Sequence, residues 1–219
     1  MKLTSVSKSE AARYMGVKGQ PDRAVSELLD KAEKLVVERV EPKYIYRVSD
    51  IIRENDVIKI EGVTFEGGGI KKHLEGCDRA VLLAVTLSGE ADKLIRQAAV
   101  TDMALSLALD CICSAAVEQV CDIAESEIFE RIDAPYRTWR FSPGYSDLPI
   151  AVQSDFLRAL NAPKRIGLTA AESSLLMPTK AVTAIICISD TPVAKGAKGC
   201  AVCGMRESCA YRAAGAVCK

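Results

Sequence analysis

Residues 140–145, with the sequence Arg-Phe-Ser-Pro-Gly-Tyr, contain the residue types of a small-molecule binding loop. The guanidinium of Arg140 offers a planar fork of donors that suits a carboxylate. Pro143 restricts the backbone, Gly144 lets a ligand approach the main chain, and Tyr145 adds a ring and a hydroxyl. The segment therefore predicts a clamp for a small zwitterion with a carboxylate and a flat group. The alternative is an ordinary turn whose arginine forms a surface salt bridge, because such hexapeptides are common.

A second group of candidate ligands is a set of cysteines near the carboxyl end of the chain: Cys200, Cys203, Cys209 and Cys218. A Cys-x-x-Cys pair between glycines suits a tight turn that gives two thiolates to one metal. Four thiolates within about twenty residues predict a zinc ion or a [4Fe–4S] cluster. A tail of reduced thiols is the alternative. The remaining cysteines lie in mostly apolar surroundings and are expected in the core: Cys77, Cys111, Cys113, Cys121 and Cys187.

A polar stripe interrupts the most apolar stretch of the chain, residues 103–121, at every fourth position: Ser106, Asp110, Ser114 and Glu118. This spacing places the four side chains on one slowly turning face of a helix. Two carboxylates would be costly in lipid, so we expect a buried helix of a soluble protein and no membrane span. The stripe could face solvent, a polar network or a cleft.

Charge and composition narrow the class of protein. Lysine plus arginine equals aspartate plus glutamate at 29 each in 219 residues, so no basic surplus favours nucleic acid. Nine cysteines without a signal peptide favour a cytoplasmic location, where thiols stay free or bind metal. The only histidine, His73, follows two lysines and is expected at the surface. No nucleophile with a nearby base is recognisable, so we predict no catalytic residue.

Periodicity predicts the elements that must position these residues. Helices are expected over residues 7–15, 22–40, 67–74 and 149–160, and over 89–132 with a bend near Thr101. Strands are expected over residues 44–48, 79–86 and 181–189, and over 57–65 with a bulge at Gly62. Gly67-Gly68-Gly69 could cradle phosphate, but it lacks a P-loop ending and is interpreted as a flexible turn. The irregular alternation favours an α+β fold over a doubly wound sheet.

Two segments together carry a resemblance to a known family. Residues 140–145 with Pro149, followed by Leu168-Thr169 and residues 172–178, resemble the activation domain of cobalamin-dependent methionine synthase. That family carries Arg-x-x-x-Gly-Tyr-Pro-Ala-Cys-Pro and then, after a helix, Leu-Thr-Glu-Ser-x-x-Met-x-Pro. The resemblance is clearest over residues 136–189. This chain departs from the motif at Ser146-Asp147-Leu148, which replaces Pro-Ala-Cys, and at Ala170-Ala171, which is an insertion.

The resemblance implies a fold, a ligand and its contacts. The implied fold is α+β, a curved and largely antiparallel sheet with flanking helices. Residues 66–190 would form the activation-domain-like core, residues 1–65 its amino-terminal helices and strands, and residues 191–219 a cysteine-rich tail. Glu118 would contact the amino end of S-adenosylmethionine and Arg140 its carboxylate. The full implied site is Glu118, Arg140, Ser142, Gly144, Tyr145, Glu172 and Ser173.

The function implied by the resemblance is that of a reactivation subunit. It would bind S-adenosylmethionine and support reductive remethylation of cob(II)alamin on a separate methionine synthase or related corrinoid protein. The chain lacks the Asp-x-His-x-x-Gly motif, so a partner would supply the cobalamin, with flavodoxin or ferredoxin as electron donor. Two alternatives stay open: a non-catalytic interaction protein stabilised by metal, and an S-adenosylmethionine-dependent methyltransferase that acts on a small molecule.

Overall fold

The structure is a computed structural model that describes residues 1–54, 57–193 and 207–213. The strands are β1 (Lys43–Asp50), β2 (Ile52–Glu54), β3 (Val57–Ile60), β4 (Val63–Phe65), β5 (Arg79–Thr86), β6 (Tyr136–Arg137), β7 (Thr169–Ala170), β8 (Leu176–Met177) and β9 (Ala181–Ser189). The helices are α1 (Lys8–Tyr14), α2 (Arg23–Arg39), α3 (Gly68–His73), α4 (Gly89–Thr101), α5 (Met103–Phe129), α6 (Gln153–Ala159), α7 (Ala162–Ile166) and α8 (Ala210–Ala213), with a 3-10 turn at Ile150–Val152.

An antiparallel sheet with the strand order β1-β5-β9-β6 forms the centre of the fold. β5 pairs along its whole length with β1 on one side and with β9 on the other. β5 and β9 are nearly continuous apolar runs because both faces of the sheet are covered. The strands predicted over residues 79–86 and 181–189 are confirmed, as is the α+β class with antiparallel pairing.

Four helices, α1, α2, α4 and α5, cover one face of this sheet. Ser7 and Asp22 cap α1 and α2, and the predicted helices over residues 7–15 and 22–40 are confirmed. The predicted bend near Thr101 is also confirmed. Asp102 ends α4 and caps α5, because its side chain accepts a hydrogen bond from the backbone N–H of Leu105 at 3.0 Å.

The helix α5 is long and apolar enough to cross a membrane by length and composition alone. Most of its apolar side chains are nevertheless buried against α1, α2, α4 and the central sheet. Leu109, Ile112 and Val120 are examples. The prediction of a buried helix is therefore confirmed.

The opposite face of the sheet is covered by the three-stranded sheet β2-β3-β4 and by α3, α6 and α7. Residues of β5 alternate between the two layers: Val81 and Leu83 face the four helices, whereas Leu82 faces this second layer. The rings of Phe65 and Phe156 meet edge to face with centroids 6.2 Å apart and join β4 to α6.

One local expectation is wrong. The change of register at Gly62 is a hairpin and not a bulge: Glu61 and Gly62 both have positive φ, and β3 pairs with β4 across them. Cys77 and Cys187 lie in the core as expected, where a disulfide joins the α3–β5 connection to β9. Cys111, Cys113 and Cys121 are free and buried, as predicted.

Candidate functional site

The polar stripe of α5 faces a polar network, which resolves the alternatives left open by the sequence. Ser106 donates its hydroxyl hydrogen to the carbonyl of Ile95 at 3.0 Å. Lys180, directly before β9, lies 2.8 Å from a carboxylate oxygen of Asp110 and donates to the hydroxyl of Ser114 at 3.0 Å. The first three members of the stripe are therefore occupied by contacts with α4 and with the residue before β9, and the fourth, Glu118, reaches the predicted clamp.

Arg140 lies over α5 and contacts three carboxylates one helical turn apart. Its Nη2 donates to Glu118 at 3.1 Å, and both Nη1 and Nη2 lie 3.0 Å from Oδ1 of Asp122. Glu125 makes a further close contact with Nη1. The guanidinium is only 21% exposed, so these contacts are partly sheltered from water. One cation therefore stands among three anions, and the cluster has a formal net charge of two negative units.

Residues 141–148 form a compact loop whose first residue pairs with β9. Phe141 and Ile185 exchange backbone hydrogen bonds of 3.0 and 2.8 Å, which pin the start of the loop to the sheet. The backbone N–H of Gly144 donates to the carbonyl of Leu148 at 2.9 Å, and Gly144 has a φ of 92° that favours glycine. The Gly144 amide predicted to meet a ligand is thus already used within the loop. Ser142 accepts from the backbone N–H of Tyr145 at 3.0 Å.

The triple glycine at residues 67–69 receives the end of this loop. The carboxylate of Asp147 accepts hydrogen bonds from the backbone N–H groups of Gly68 at 2.6 Å and Gly69 at 2.9 Å. The N–H groups of Gly69 and Gly68 lower the pKa of the Asp147 carboxyl. The expectation of a merely flexible turn is wrong, because Asp147 occupies the amino end of α3. The segment in which this chain departs from the family motif, residues 146–148, is therefore held by the glycines through Asp147.

An aromatic cluster includes both sequence neighbours of Arg140, and sequence reasoning missed most of it. Trp139 has its ring centroid 5.0 Å from that of His73 and 6.5 Å from that of Tyr145, and Phe141 lies 4.8 Å from His73. The indole N–H of Trp139 is buried and has no hydrogen-bond partner among the described residues. Tyr145 is 54% exposed, so one ring of the cluster faces solvent. Three aromatic residues, at positions 139, 141 and 145, stand in or next to the predicted clamp, and this was the signal in the sequence that could have revealed the cluster.

His73 is not the surface residue that the flanking lysines suggested. Its ring packs against Trp139 and Phe141, and its Nε2 lies 2.9 Å from the hydroxyl of Thr138. Burial lowers the pKa of His73 to about 4, because the charged imidazolium is poorly solvated there. The ring is therefore neutral at pH 7 and part of the packing around the site.

Acidification is expected to destabilise the protein through His73. Its pKa is lower in the folded chain than in the unfolded chain, so the unfolded state binds the proton first and stability falls as the pH drops below about 6.5. We expect a loss of about 1 to 2 kcal/mol between pH 7 and pH 5, measured by urea unfolding of untagged protein. His73→Phe should remove this dependence, since His73 is the only histidine. Identical slopes for both proteins would contradict the assignment.

Two further predicted site residues are exposed, and the cysteine tail lies mostly outside the described residues. Glu172 and Ser173 are exposed in the β7–β8 connection, and within the described residues no hydrogen bond or ion pair joins them to Arg140. Of the predicted metal ligands only Cys209 lies in the described part, as a free cysteine; Cys200, Cys203 and Cys218 lie outside it. Residues 1–54, 57–193 and 207–213 contain no group of three metal-binding side chains. The metal site stays a prediction, which elemental analysis of the full chain can test.

A surface cavity of about 520 Å³ lies away from this cluster, between α1 and α2. Lys8 and Arg13 line it, and both are already ion-paired, with Asp30 and Glu10 respectively. None of the residues singled out from the sequence as site candidates lines this cavity. We therefore base the candidate site on the Arg140 cluster, defined as Arg140 with Glu118, Asp122 and Glu125.

Comparison with known proteins identifies the fold. No protein-family model matches the sequence, and no curated protein matches it. Thirteen chains of solved structures match. One is the crystal structure of the MetH reactivation domain bound to AdoHcy, with a TM-score of 0.62 and 16% sequence identity; the match covers 88% of this chain and 77% of that one. That neighbour is a domain of methionine synthase, so the resemblance carried by the motifs is confirmed at the level of the fold.

Proposed function

We propose that this chain binds S-adenosylmethionine and presents its methyl group to a corrinoid carried by a separate protein. The observation that carries the proposal is the contact of Glu118, on α5, with Arg140, the first residue of the segment 140–145. The two segments are separated by 21 residues of chain between Glu118 and Arg140, yet the carboxylate and the guanidinium lie 3.1 Å apart. The structural neighbour with this fold holds AdoHcy, a ligand of the same chemical class.

The charge of the Arg140 cluster suits this ligand. S-adenosylmethionine carries an ammonium and a sulfonium, both positive, and one carboxylate. The cluster offers one guanidinium for the carboxylate and the carboxylates of Glu118 and Glu125 for the two cations. Each opposite pair at about 4 Å is worth roughly 1 kcal/mol in bulk water and about 4 kcal/mol near a protein surface. A net charge of minus two therefore favours a ligand of net charge plus one.

The aromatic cluster suits the flat part of the ligand. Tyr145 presents a half-exposed ring, and the ring of Trp139 lies beside it. An adenine ring can stack on such a surface. These residues support an adenosyl ligand in preference to a bare amino acid.

The described residues do not offer a cobalt ligand, so the corrinoid would arrive with its partner. His73 is flanked by Trp139 and Phe141 and bonded to Thr138, and no other histidine exists in the chain. When bound to its own protein, the corrinoid supplies the nucleophilic metal, and a flavodoxin or ferredoxin would supply the electron. The contribution of this chain is orientation, since holding the methyl donor in line can supply several kcal/mol of the barrier.

Calorimetric titration tests the proposal. We expect S-adenosylmethionine to bind about tenfold more tightly than S-adenosylhomocysteine, because loss of the sulfonium removes one attraction of roughly 1 to 2 kcal/mol to the acidic cluster. Addition of a corrinoid-loaded methionine synthase that lacks its own activation domain should tighten binding further. Absence of binding of either ligand, with and without the partner, would overturn the proposed function.

A further inference from the structure

Asp122 makes the contact with Arg140 that a ligand carboxylate would need. One oxygen, Oδ1, lies 3.0 Å from Nη1 and 3.0 Å from Nη2, so it sits between the two outer nitrogens of the guanidinium. The two-nitrogen edge of a guanidinium is its preferred surface for a carboxylate. Arg140 therefore has its main recognition edge covered by a side chain of the same protein.

The three carboxylates around Arg140 differ in exposure. Glu125 is 20% exposed and Glu118 is 51% exposed, whereas Asp122 is 73% exposed. An exposed ion pair contributes little, because water screens it and the released side chain is readily solvated. Removal of a cation from the more sheltered Glu125 is costly, because its charge is poorly solvated without a partner. Asp122 is thus the contact that Arg140 gives up most easily.

The charges around Arg140 also favour the replacement of Asp122 by a ligand carboxylate. Three carboxylates repel one another around a single cation, and a ligand carboxylate added to them would be a fourth negative charge. Rotation of the Asp122 side chain toward water leaves two carboxylates beside Arg140. One of them can pair with the ammonium of the ligand and the other with its sulfonium. The helix itself need not move, since Asp122 lies on the outer face of α5.

We infer that Asp122 occupies the position of the ligand carboxylate on Arg140 and is displaced when the ligand binds. This inference rests on the proposed function and adds a specificity-determining residue that the resembling motifs do not include. Asp122 acts as an internal competitor: it covers the two-nitrogen edge of Arg140 in the free chain and lowers the apparent affinity for any ligand with an amino-acid carboxylate.

The test compares Asp122→Asn with Glu130→Gln in calorimetric titrations with S-adenosylmethionine. Both changes remove one negative charge from α5 or its end, but Glu130 lies eight residues, about 12 Å, farther along the helix axis. We expect Asp122→Asn to tighten binding by about 3- to 30-fold, because the competing charge is gone. General electrostatics predicts the opposite sign, since a ligand of net positive charge should bind less well to a less acidic protein. Glu130→Gln measures that general effect and should change affinity less than about twofold.

A ligand without a carboxylate completes the test. 5′-Methylthioadenosine keeps the adenosyl group and the sulfur but lacks the amino-acid end, so Asp122→Asn should leave its affinity unchanged. Tightening for S-adenosylmethionine alone would support the inference. Binding by the wild type with no tightening, or with equal tightening for both ligands, would overturn the inference and leave the proposed function intact. No binding by any variant would overturn both.

Discussion

Replacement of Arg140 by alanine is expected to lower the free energy of unfolding by about 2 to 4 kcal/mol and to abolish measurable binding of S-adenosylmethionine. The guanidinium is 21% exposed and neutralises three carboxylates of α5. Its loss leaves Glu125 partly buried, with no cation and with two like charges beside it. Loss of one partner of a buried ion pair costs about 3 to 5 kcal/mol, and partial exposure of this cluster reduces that figure.

The matched control for this change is Arg158→Ala. Arg158 is 77% exposed and pairs with Asp155 one turn away on α6, so its loss should cost less than about 0.5 kcal/mol. Arg140→Lys should lie between the two, because an ammonium keeps the charge but cannot bridge several carboxylates with a planar fork. Urea unfolding at pH 7 measures all three variants. Equal losses for Arg140→Ala and Arg158→Ala would mean that the cluster contributes no more than a surface ion pair.

Replacement of Gly67 by alanine is expected to cost about 3 kcal/mol, through both strain and collision. Gly67 has a φ of 126°, outside the range that residues with a side chain adopt. A Cβ there would lie 2.8 Å from Oδ1 and 3.0 Å from the backbone oxygen of Asp147. The backbone contact can be relieved only by a shift of residues 146–148, which follow Tyr145 directly. We therefore expect weaker ligand binding as well as lower stability.

Gly76→Ala separates the two causes. Gly76 also has positive φ, 74°, but a Cβ built there meets no atom within 4 Å. Its replacement should cost about 1 kcal/mol from backbone strain alone and should leave ligand binding unchanged. The difference between the two variants in urea unfolding then reports the collision with Asp147. If both variants lose the same stability, the α3 glycines are not in contact with residues 146–148.

Much of the fold could be predicted because its signals are local. The bounds of β5 and β9 follow from unbroken apolar runs, and Ser7, Asp22 and Asp102 cap helices within three residues of their own positions. The hairpin at Glu61 and Gly62 was misjudged, since a change of register has the same pattern in a bulge and in a two-residue turn. Short strands such as β6 and β7 depend on pairing with distant residues and carry no pattern of their own.

The candidate site could be predicted only in part. Arg140 and Glu118 were chosen from motif and spacing, and the structure brings them together; their role in ligand binding stays a prediction. Asp122 and Glu125 were missed, although their positions four and seven residues after Glu118 place them on the same face of α5. His73 was misplaced, because its charged neighbours in sequence say nothing about the rings of Trp139 and Phe141 that cover it.

The sequence by itself determined the helices, the buried strands, the α+β class and the loop that resembles an S-adenosylmethionine clamp. These features depend on periodicity, caps and motif residues, which act over a few positions of the chain. Only the tertiary structure decided which charges surround Arg140, that Asp147 occupies the glycine turn of α3, and that His73 is neutral. Each of these depends on contacts across 15 to 79 positions of sequence. Such contacts arise from the packing of α3 and α5 against β9 and its neighbouring loop, and no local pattern encodes them.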